Sequence, residues 1–418
     1  MRVSSAQLEP LRLPGFRNLF LATLGSSVGT LLAAVALAID VQDRTNSGLW
    51  VAAVLIVEFL PTIVVGLLFG PLLDRLERRT LMIAADALRI GVFVALPFAP
   101  NAATVVGLAF VAGLATGLFR PAVYAGVPNL VPDEDLPAAN ALLQTVENAS
   151  WAVGPLVGGA LTAVAGPSAA YAINAASFVV SIALIVRIPP RLLQSERALS
   201  RGYWRDLSDG FGAALRSPSM RAVLVAWGIA SLGAGATSVG EVFLAKHTFS
   251  AGDFGYGLLY GAIGCGLVLG SFASAPALGR FSVARVYGVS LAILAAGYAT
   301  VAASPNVWVA AACCLVAGIG NGAAITCNAL LVQRGTFDLM RGRALTFVMS
   351  VTYVLVGVGD GIGGLLVHNA GPRWIWGASG GAVLVAAVAG SLLARNLRGE
   401  SAAEDEVVSA EPSVAAAN

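Results

Sequence analysis

Apolar residues in this chain run unbroken for about 20 residues at a time, the length that carries a helix across a bilayer, and charged or Pro/Gly breaks separate the runs. The pattern predicts twelve spanning helices, over residues 17–41, 48–73, 80–99, 102–130, 137–165 and 168–187, then 219–245, 254–279, 283–303, 305–333, 342–369 and 373–395. Six precede a polar stretch at 188–218 and six follow it. The expected organisation is therefore a tail at 1–16, a six-helix bundle at 17–187, a linker at 188–218, a second bundle at 219–395 and a disordered tail at 396–418, where Ala, Ser and Glu take over.

The two halves also match each other. Val-Ala-Gly at 111–113 returns at 316–318, and Gly117 returns at Gly322. Asp133 returns at Asp338, and Gly154, Gly158, Gly159, Gly166 and Pro167 return at Gly359, Gly363, Gly364, Gly371 and Pro372, all at a constant offset of 205 residues. Glycines holding one register over 57 aligned positions, Val111 to Pro167, mark an internal duplication of the parallel-repeat kind found in secondary transporters.

Composition agrees with lipid as the solvent: 57% of the 418 residues are hydrophobic and 11% are charged, against about 25% charged in soluble domains. A net charge of +2 with dispersed basic residues argues against a nucleic-acid partner. Cys265, Cys313, Cys314 and Cys327 sit in apolar runs and, with His247 and His368, give no metal-ligand spacing; no metal or cofactor is expected. The polar lead to Arg17 is followed by a run too long for a signal peptide.

Arginine sets the orientation. Arg12, Arg17, Arg75, Arg78, Arg79, Arg187, Arg191, Arg197, Arg201, Arg205, Arg216, Arg280, Arg285, Arg334, Arg341, Arg343, Arg395 and Arg398 fall on one set of loops and tails, while the other set holds Arg44, Lys246 and Arg373. The positive-inside bias then places both termini and the linker in the cytoplasm, in a cell (cytoplasmic or inner) membrane. The Arg-rich linker, with Trp204 and Phe211, forms either a surface-lying amphipathic helix or a plain tether.

The loop between spans two and three reads Gly70-Pro-Leu-Leu-Asp74-Arg75-Leu-Glu77-Arg78-Arg79. It resembles the G-x-x-x-D-R-x-x-R-R signature of the major facilitator superfamily. The second half keeps Arg280 and Arg285 but has Gly279 where the acid would fall. The resemblance implies a cytoplasmic gate at Gly70, Asp74, Arg75, Arg78 and Arg79, with Asp74 near the positive N-terminal end of span eleven, where Arg341 and Arg343 lie. Gly154-Pro155-Leu-Val-Gly158-Gly159 on span five can let two helices approach closely, and it resembles the superfamily's antiporter motif, which implies export. Asp86, Arg89 and the run from Pro121 to Asn140 resemble the macrolide-efflux and enterobactin-exporter branch. The implied fold is an all-α membrane protein of two pseudo-symmetric six-helix bundles.

Polar residues at helical spacing mark spans one, four, seven and ten: Thr23, Ser26, Ser27 and Thr30; Thr116, Arg120 and Tyr124; Ser231, Ser238 and Glu241; Asn321 and Asn328. These are the helices that line the central cavity in the superfamily, so Ser26, Thr30, Arg120, Tyr124, Ser238, Asn321 and Asn328 are substrate-cavity candidates. Four ionisable groups lie deepest in the runs: Glu58, Arg120, Glu147 and Asp360. Each costs about 2.5 to 3.5 kcal/mol in ionised form near the bilayer centre and needs a partner, water or a proton. Arg120 and Glu147, on sequential helices, are expected to be able to pair. Glu58 and Asp360 lie on spans that face each other across the halves in the superfamily, and two acids in one low-dielectric site repel. Glu58, Glu147 and Asp360 are the proton-coupling candidates.

The chain has no G-x-x-x-x-G-K-S/T loop and no catalytic constellation, so it reads as a transporter and not an enzyme. The expected function is export of a small amphipathic or hydrophobic molecule in exchange for protons, by a monomer in the bilayer. Export of a siderophore or other acidic natural product, proton-coupled uptake, and a non-transporting sensor or assembly role stay open as alternatives.

Overall fold

The computed structural model describes residues 5–73, 76–193, 218–334 and 341–389. Twelve long helices account for most of them: α1 Pro14–Thr45, α2 Gly48–Leu73, α3 Arg78–Ala95, α4 Ala102–Gly126, α5 Leu136–Ala165, α6 Pro167–Val186, α7 Pro218–Phe243, α8 Gly252–Leu278, α9 Val283–Ala303, α10 Val307–Arg334, α11 Arg341–Leu366 and α12, residues 372–389. No strand occurs among the described residues. The helices run alternately up and down, so all the odd-numbered ones start at one end of the molecule, called proximal here, and finish at the other, distal end. Nine of the described helices are long and apolar enough to cross a membrane on length and composition. Residues such as Val164, Val180, Val385 and Val388 turn outward on the flanks as a lipid-facing surface must, while Phe98, Trp308 and Trp374 lie at distal helix ends, where aromatic belts form.

Local chemistry sets the helix ends. Asn101 caps α4 by accepting the Thr104 amide at 2.9 Å. Asn46 closes α1 in the left-handed conformation, its N–H returning 2.7 Å to the Gln42 carbonyl. The turns between α5 and α6 and between α11 and α12 need a positive φ, supplied by Gly166 at +76° and Gly371 at +81°. Each is followed by a proline, which suits a first helical position. These are the two Gly-Pro pairs related by the 205-residue repeat.

The repeat extends to packing. In the first half α1 packs on α5 and α6, and α3 packs on α4 and α6; α2 packs on α4. In the second, α7 packs on α11, α8 and α9 on α10, and α12 lies on α7 through Ser379 and on α9 through Gly380. Gly154 and Gly158 bring α5 against the α1 backbone at Leu31–Leu32, and their counterparts Gly359 and Gly363 bring α11 against α7 at Leu232 and Ala236. Gly159 and Gly364 instead face across the molecule: Gly159 meets Gly257 of α8, and Gly364 meets Gly48 of α2. Small residues are what allow such backbone-to-backbone approach in lipid.

The two halves therefore join along α5–α8 and α2–α11. The close approaches run along Trp151–Gly159 with Gly257–Gly264, and from Gly48 down to Phe59, whose ring stacks on Tyr353 at 5.6 Å. One buried cluster, including Leu37, Ile39 and Val51 of the first half and Val239, Phe243 and Val383 of the second, continues across this seam. At the proximal end the cores are separate, one around Phe16, Met82, Phe119 and Leu143 and another around Val223, Val332 and Phe347. The molecule is closed distally and parted proximally.

The stretch at 188–193, expected as linker, packs into the first half, because Ile188 and Leu193 are apolar and fully buried there. Linker residues 194–217, the tail at 396–418 and the acid Asp74 with Arg75 lie outside the described residues.

Candidate functional site

A cavity of about 1280 Å³, counting its open mouth, lies between the halves. Among the described residues it is lined almost wholly by the first half. Thr23, Ser26, Ser27 and Thr30 line it from α1, Glu58, Phe59 and Thr62 from α2, Thr116, Phe119, Arg120 and Tyr124 from α4, and Glu147, Ser150 and Trp151 from α5; Tyr353 of α11 is the second half's contribution to the lining. Polar side chains in membrane helices turn to the bundle interior, where they pair with one another, with backbone carbonyls or with water. Several hydroxyls here are already held by their own helix: Thr23 donates to the Leu19 carbonyl at 2.9 Å, Thr30 to Ser26 at 2.7 Å and Thr116 to Ala112 at 3.0 Å. They retain acceptor lone pairs for a ligand.

The charged centre is a three-residue group. Arg120 Nη2 donates to Glu147 Oε1 at 2.7 Å, and the Tyr124 hydroxyl donates to the same oxygen at 2.9 Å. Arg120 and Tyr124 share a helix face at spacing four, which is why both reach one carboxylate. Tyr124 and Arg120 lie within two turns of the proximal end of α4 and are exposed, so the mouth opens on that side.

A second ion pair forms the floor. Arg89 and Asp86 of α3 pair in full burial, with side chains 4% and 0% exposed, and the guanidinium lies between the Phe119 and Phe178 rings at 4.5 and 4.3 Å from their centroids. Cation–π contacts of this sort hold a charge where water is excluded.

Glu58 reaches the cavity wall, half-buried. Asp360 does not: it is 1% exposed, behind the seam, and neither carboxyl oxygen has a hydrogen-bond partner. Ser238, Asn321 and Asn328 are not brought to the cavity either. Ser238 donates to its own helix at Ala234, and Asn328 is buried on the side of α10 that faces Tyr287 of α9. The expectation that spans seven and ten line the cavity as one and four do is corrected accordingly, since the residues facing it follow helix rotation, which a stripe of polar residues does not fix.

The gate residues divide. Arg78 Nη1 donates to the Ala125 and Leu193 carbonyls at 2.8 and 3.1 Å, and Arg79 Nη2 to Val186 at 2.6 Å. They tie the proximal ends of α4 and α6 to the start of α3. Gly70 lies in α2, and the gate role of Asp74 and Arg75 falls outside the described residues. Gly154, Pro155, Gly158 and Gly159 form the two helix contacts described above.

Three groups escaped the sequence reading. Asp40 is buried but satisfied, accepting from Arg44 at 2.7 Å and Tyr171 at 3.0 Å; its i, i+4 basic partner was the available signal. The aromatic walls, Phe59, Phe93, Phe119, Trp151 and Phe178, looked like ordinary core. At the distal rim Lys246 bridges the halves, pairing with Asp43 of the first and, at 2.7 Å, with Asp253 of the second, and the Gly48 N–H donates to His368 Nε2 at 3.3 Å.

Comparison with known proteins identifies the fold and the family. The model of a family described as transmembrane secretion effector matches residues 5–417. The macrolide efflux protein A of Streptococcus pyogenes is 26% identical over 211 residues, 48% of this chain and 52% of that protein. The enterobactin exporter EntS of Shigella boydii serotype 4 (strain Sb227) is 26% identical over 260 residues, 60% of each chain. The match thus spans about half to three fifths of these relatives' lengths. A bacterial homologue of the iron transporter ferroportin, solved in an inward-facing state, superposes with a TM-score of 0.69 at 17% identity, covering 92% of this chain and 98% of that one. The matched residues, the duplicated twelve-helix architecture and the shared superposition agree: this chain is a multi-pass membrane protein that belongs to the transmembrane secretion effector family of major facilitator superfamily transporters.

Proposed function

We propose that this protein is a proton-coupled exporter of small amphipathic molecules, in which residues 17–187 and 219–395 rock as two bundles about the cavity at Arg120 and Glu147. The observation that carries the reading is the lopsided cavity itself. It combines an aromatic wall of Phe59, Phe93, Phe119 and Trp151 with one accessible ion pair, and it opens at the proximal, Arg-rich end. Aromatic surface holds an apolar body, and the pair offers a carboxylate to a basic group or a guanidinium to an acidic one. Macrolide efflux protein A and the enterobactin exporter, both exporters by name, support the direction. The positive-inside bias makes the proximal side cytoplasmic, so the cavity faces the compartment from which an exporter loads.

Glu147 and Glu58 touch the cavity, and Asp360 lies behind it. A buried carboxylate without a cation beside it is cheapest with a proton on it. Release of that proton to the cytoplasm, and its replacement from outside, moves charge down the membrane potential and yields about 2.3 kcal/mol per 100 mV. Export of an acidic compound is the second reading, favoured by the 47% exposure of the Arg120 side chain toward the cavity.

The test is macrolide and enterobactin transport in proteoliposomes with and without a protonophore, in the wild type and in Glu58→Gln, Glu147→Gln and Asp360→Asn. Uncoupler-sensitive export that is lost in at least one amide variant is the expected result. Gradient-driven export surviving all three changes contradicts proton coupling through these residues.

A further inference from the structure

The chain has two histidines, and the fold sets both against one ring at the distal seam. His247, in the turn that ends α7, lies nearly parallel to Phe243 with ring centroids 5.4 Å apart. His368, in the turn after α11, meets the same ring edge-on at 5.2 Å. Phe243 is buried while both imidazoles are exposed, so the ring braces them and distal water reaches them. No step proposed for Glu58, Glu147 or Asp360 uses either one.

His368 also ties the halves together. Its Nε2 accepts the Gly48 N–H at 3.3 Å, and Gly48 is the first residue of α2 in the other half. The first N–H groups of a helix have no acceptor within it, so the imidazole supplies what α2 lacks. Backbones touch at the same place: a Cβ on Gly48 would fall 2.6 Å from the Gly364 carbonyl oxygen and 2.4 Å from Val367 Cγ1. One bond there acts on a point where α2 and α11 already meet.

That bond needs a neutral ring. A neutral imidazole accepts through one nitrogen, whereas in the protonated form both nitrogens donate. A proton on Nε2 would face the Gly48 N–H donor to donor and set a positive charge at the positive end of α2. The other charged groups of the rim have partners of their own. Lys246 pairs with Asp43 of α1 and, at 2.7 Å, with Asp253 of α8. Arg44 of α1 donates to Asp40 at 2.7 Å and to the Ala99 carbonyl at 2.8 Å. Arg373, at the start of α12, donates to the Ala302 carbonyl at 2.7 Å and lies over the Phe249 ring. Glu241 of α7, two positions before Phe243, is buried. Among the described residues no carboxylate bonds to either imidazole.

Resting on the rocking of the two bundles proposed above, but not on which acid carries the proton, we propose that His368 is a pH-responsive latch on the distal seam. Neutral, it holds α2 against the second half through the Gly48 N–H; protonated, it releases that hold and lets the distal side part. The bond is complete at high distal pH and is lost as pH falls through the range in which histidine changes charge, about pH 5 to 8. Acid on the distal side thus favours the state that opens toward it.

Spin labels on cysteines placed at Trp50 of α2 and Leu365 of α11, both exposed toward the distal ends, test this in the full chain with the four native cysteines replaced. From about pH 8 to about pH 5.5 the ratio of long to short distances should rise about two- to tenfold, the range that one net hydrogen bond carries. In His368→Gln, which cannot titrate, and in His368→Phe, which keeps a ring beside Phe243 without the acceptor, the ratio should not change with pH. His247→Gln and Lys246→Ala should keep the dependence. A pH response that survives in both His368 variants assigns the switch to another group and overturns the latch. Wild-type distances that ignore pH, yet lengthen in Lys246→Ala or on macrolide binding, overturn the latch and leave the rocking of the halves standing. Distances fixed against pH, macrolide and Lys246→Ala alike overturn both readings together.

Discussion

Arg120 and Glu147 keep side-chain exposures of 47% and 20%, so water screens their attraction and the pair contributes only about 0 to 1 kcal/mol to stability. Arg120→Ala should leave the thermal midpoint in detergent close to wild type. A substrate group held by Arg120 loses a separate charge-assisted hydrogen bond, worth about 1.5 to 3 kcal/mol, so export should still fall by about tenfold or more in a vesicle assay. The Asp86–Arg89 pair behaves oppositely. With both side chains almost wholly buried, Asp86→Ala strands a cation between two phenylalanines, and the expected loss is about 3 to 5 kcal/mol. A collapse in folded yield and thermal midpoint checks this, and replacing both partners with apolar residues should recover much of it. The pairing of Arg120 with Glu147 was legible from their depths on sequential helices. The burial of Asp360 behind the seam was not, because sequence gives the depth of a residue along a helix and says little of which way its face turns.

At the scale of elements, the glycines carry the account. Gly159 and Gly257 touch across the halves, so Gly159→Leu should wedge the distal seam apart and raise the distally open population. Spin labels on the distal ends of α5 and α8 should report longer distances, and an unchanged distribution contradicts the packing role. Gly166 at φ +76° and ψ 169° has nothing near its Cβ position, so Gly166→Ala tests backbone strain alone, at about 1 to 3 kcal/mol. The repeat at an offset of 205 made these glycines visible as a set, and the twelve apolar runs made the helices visible. The partners of each glycine came only with the structure. Span five contains Asn140, Gln144, Glu147 and Asn148, yet its apolar run still stood out at 137–165. The stripes on spans seven and ten were misleading because serine in a membrane helix can satisfy itself on its own backbone, as Ser238 does at Ala234.

For the whole molecule, the distal rim ties the two halves to each other. Lys246 reaches Asp43 across the halves, and Lys246→Ala removes that bond without disturbing the cavity. A bridge of this exposure is worth about 1 kcal/mol at most, which shifts a two-state equilibrium by about fivefold. Labelling of a cysteine placed in the distal seam should speed up by that factor. In the proposed cycle substrate and proton exchange for one another on one molecule. The direct measurement is proton release from purified protein in weakly buffered detergent on addition of a macrolide or enterobactin shown by calorimetry to bind. The account predicts release that saturates with binding and falls in Glu147→Gln; a compound that binds fully and releases no proton contradicts it.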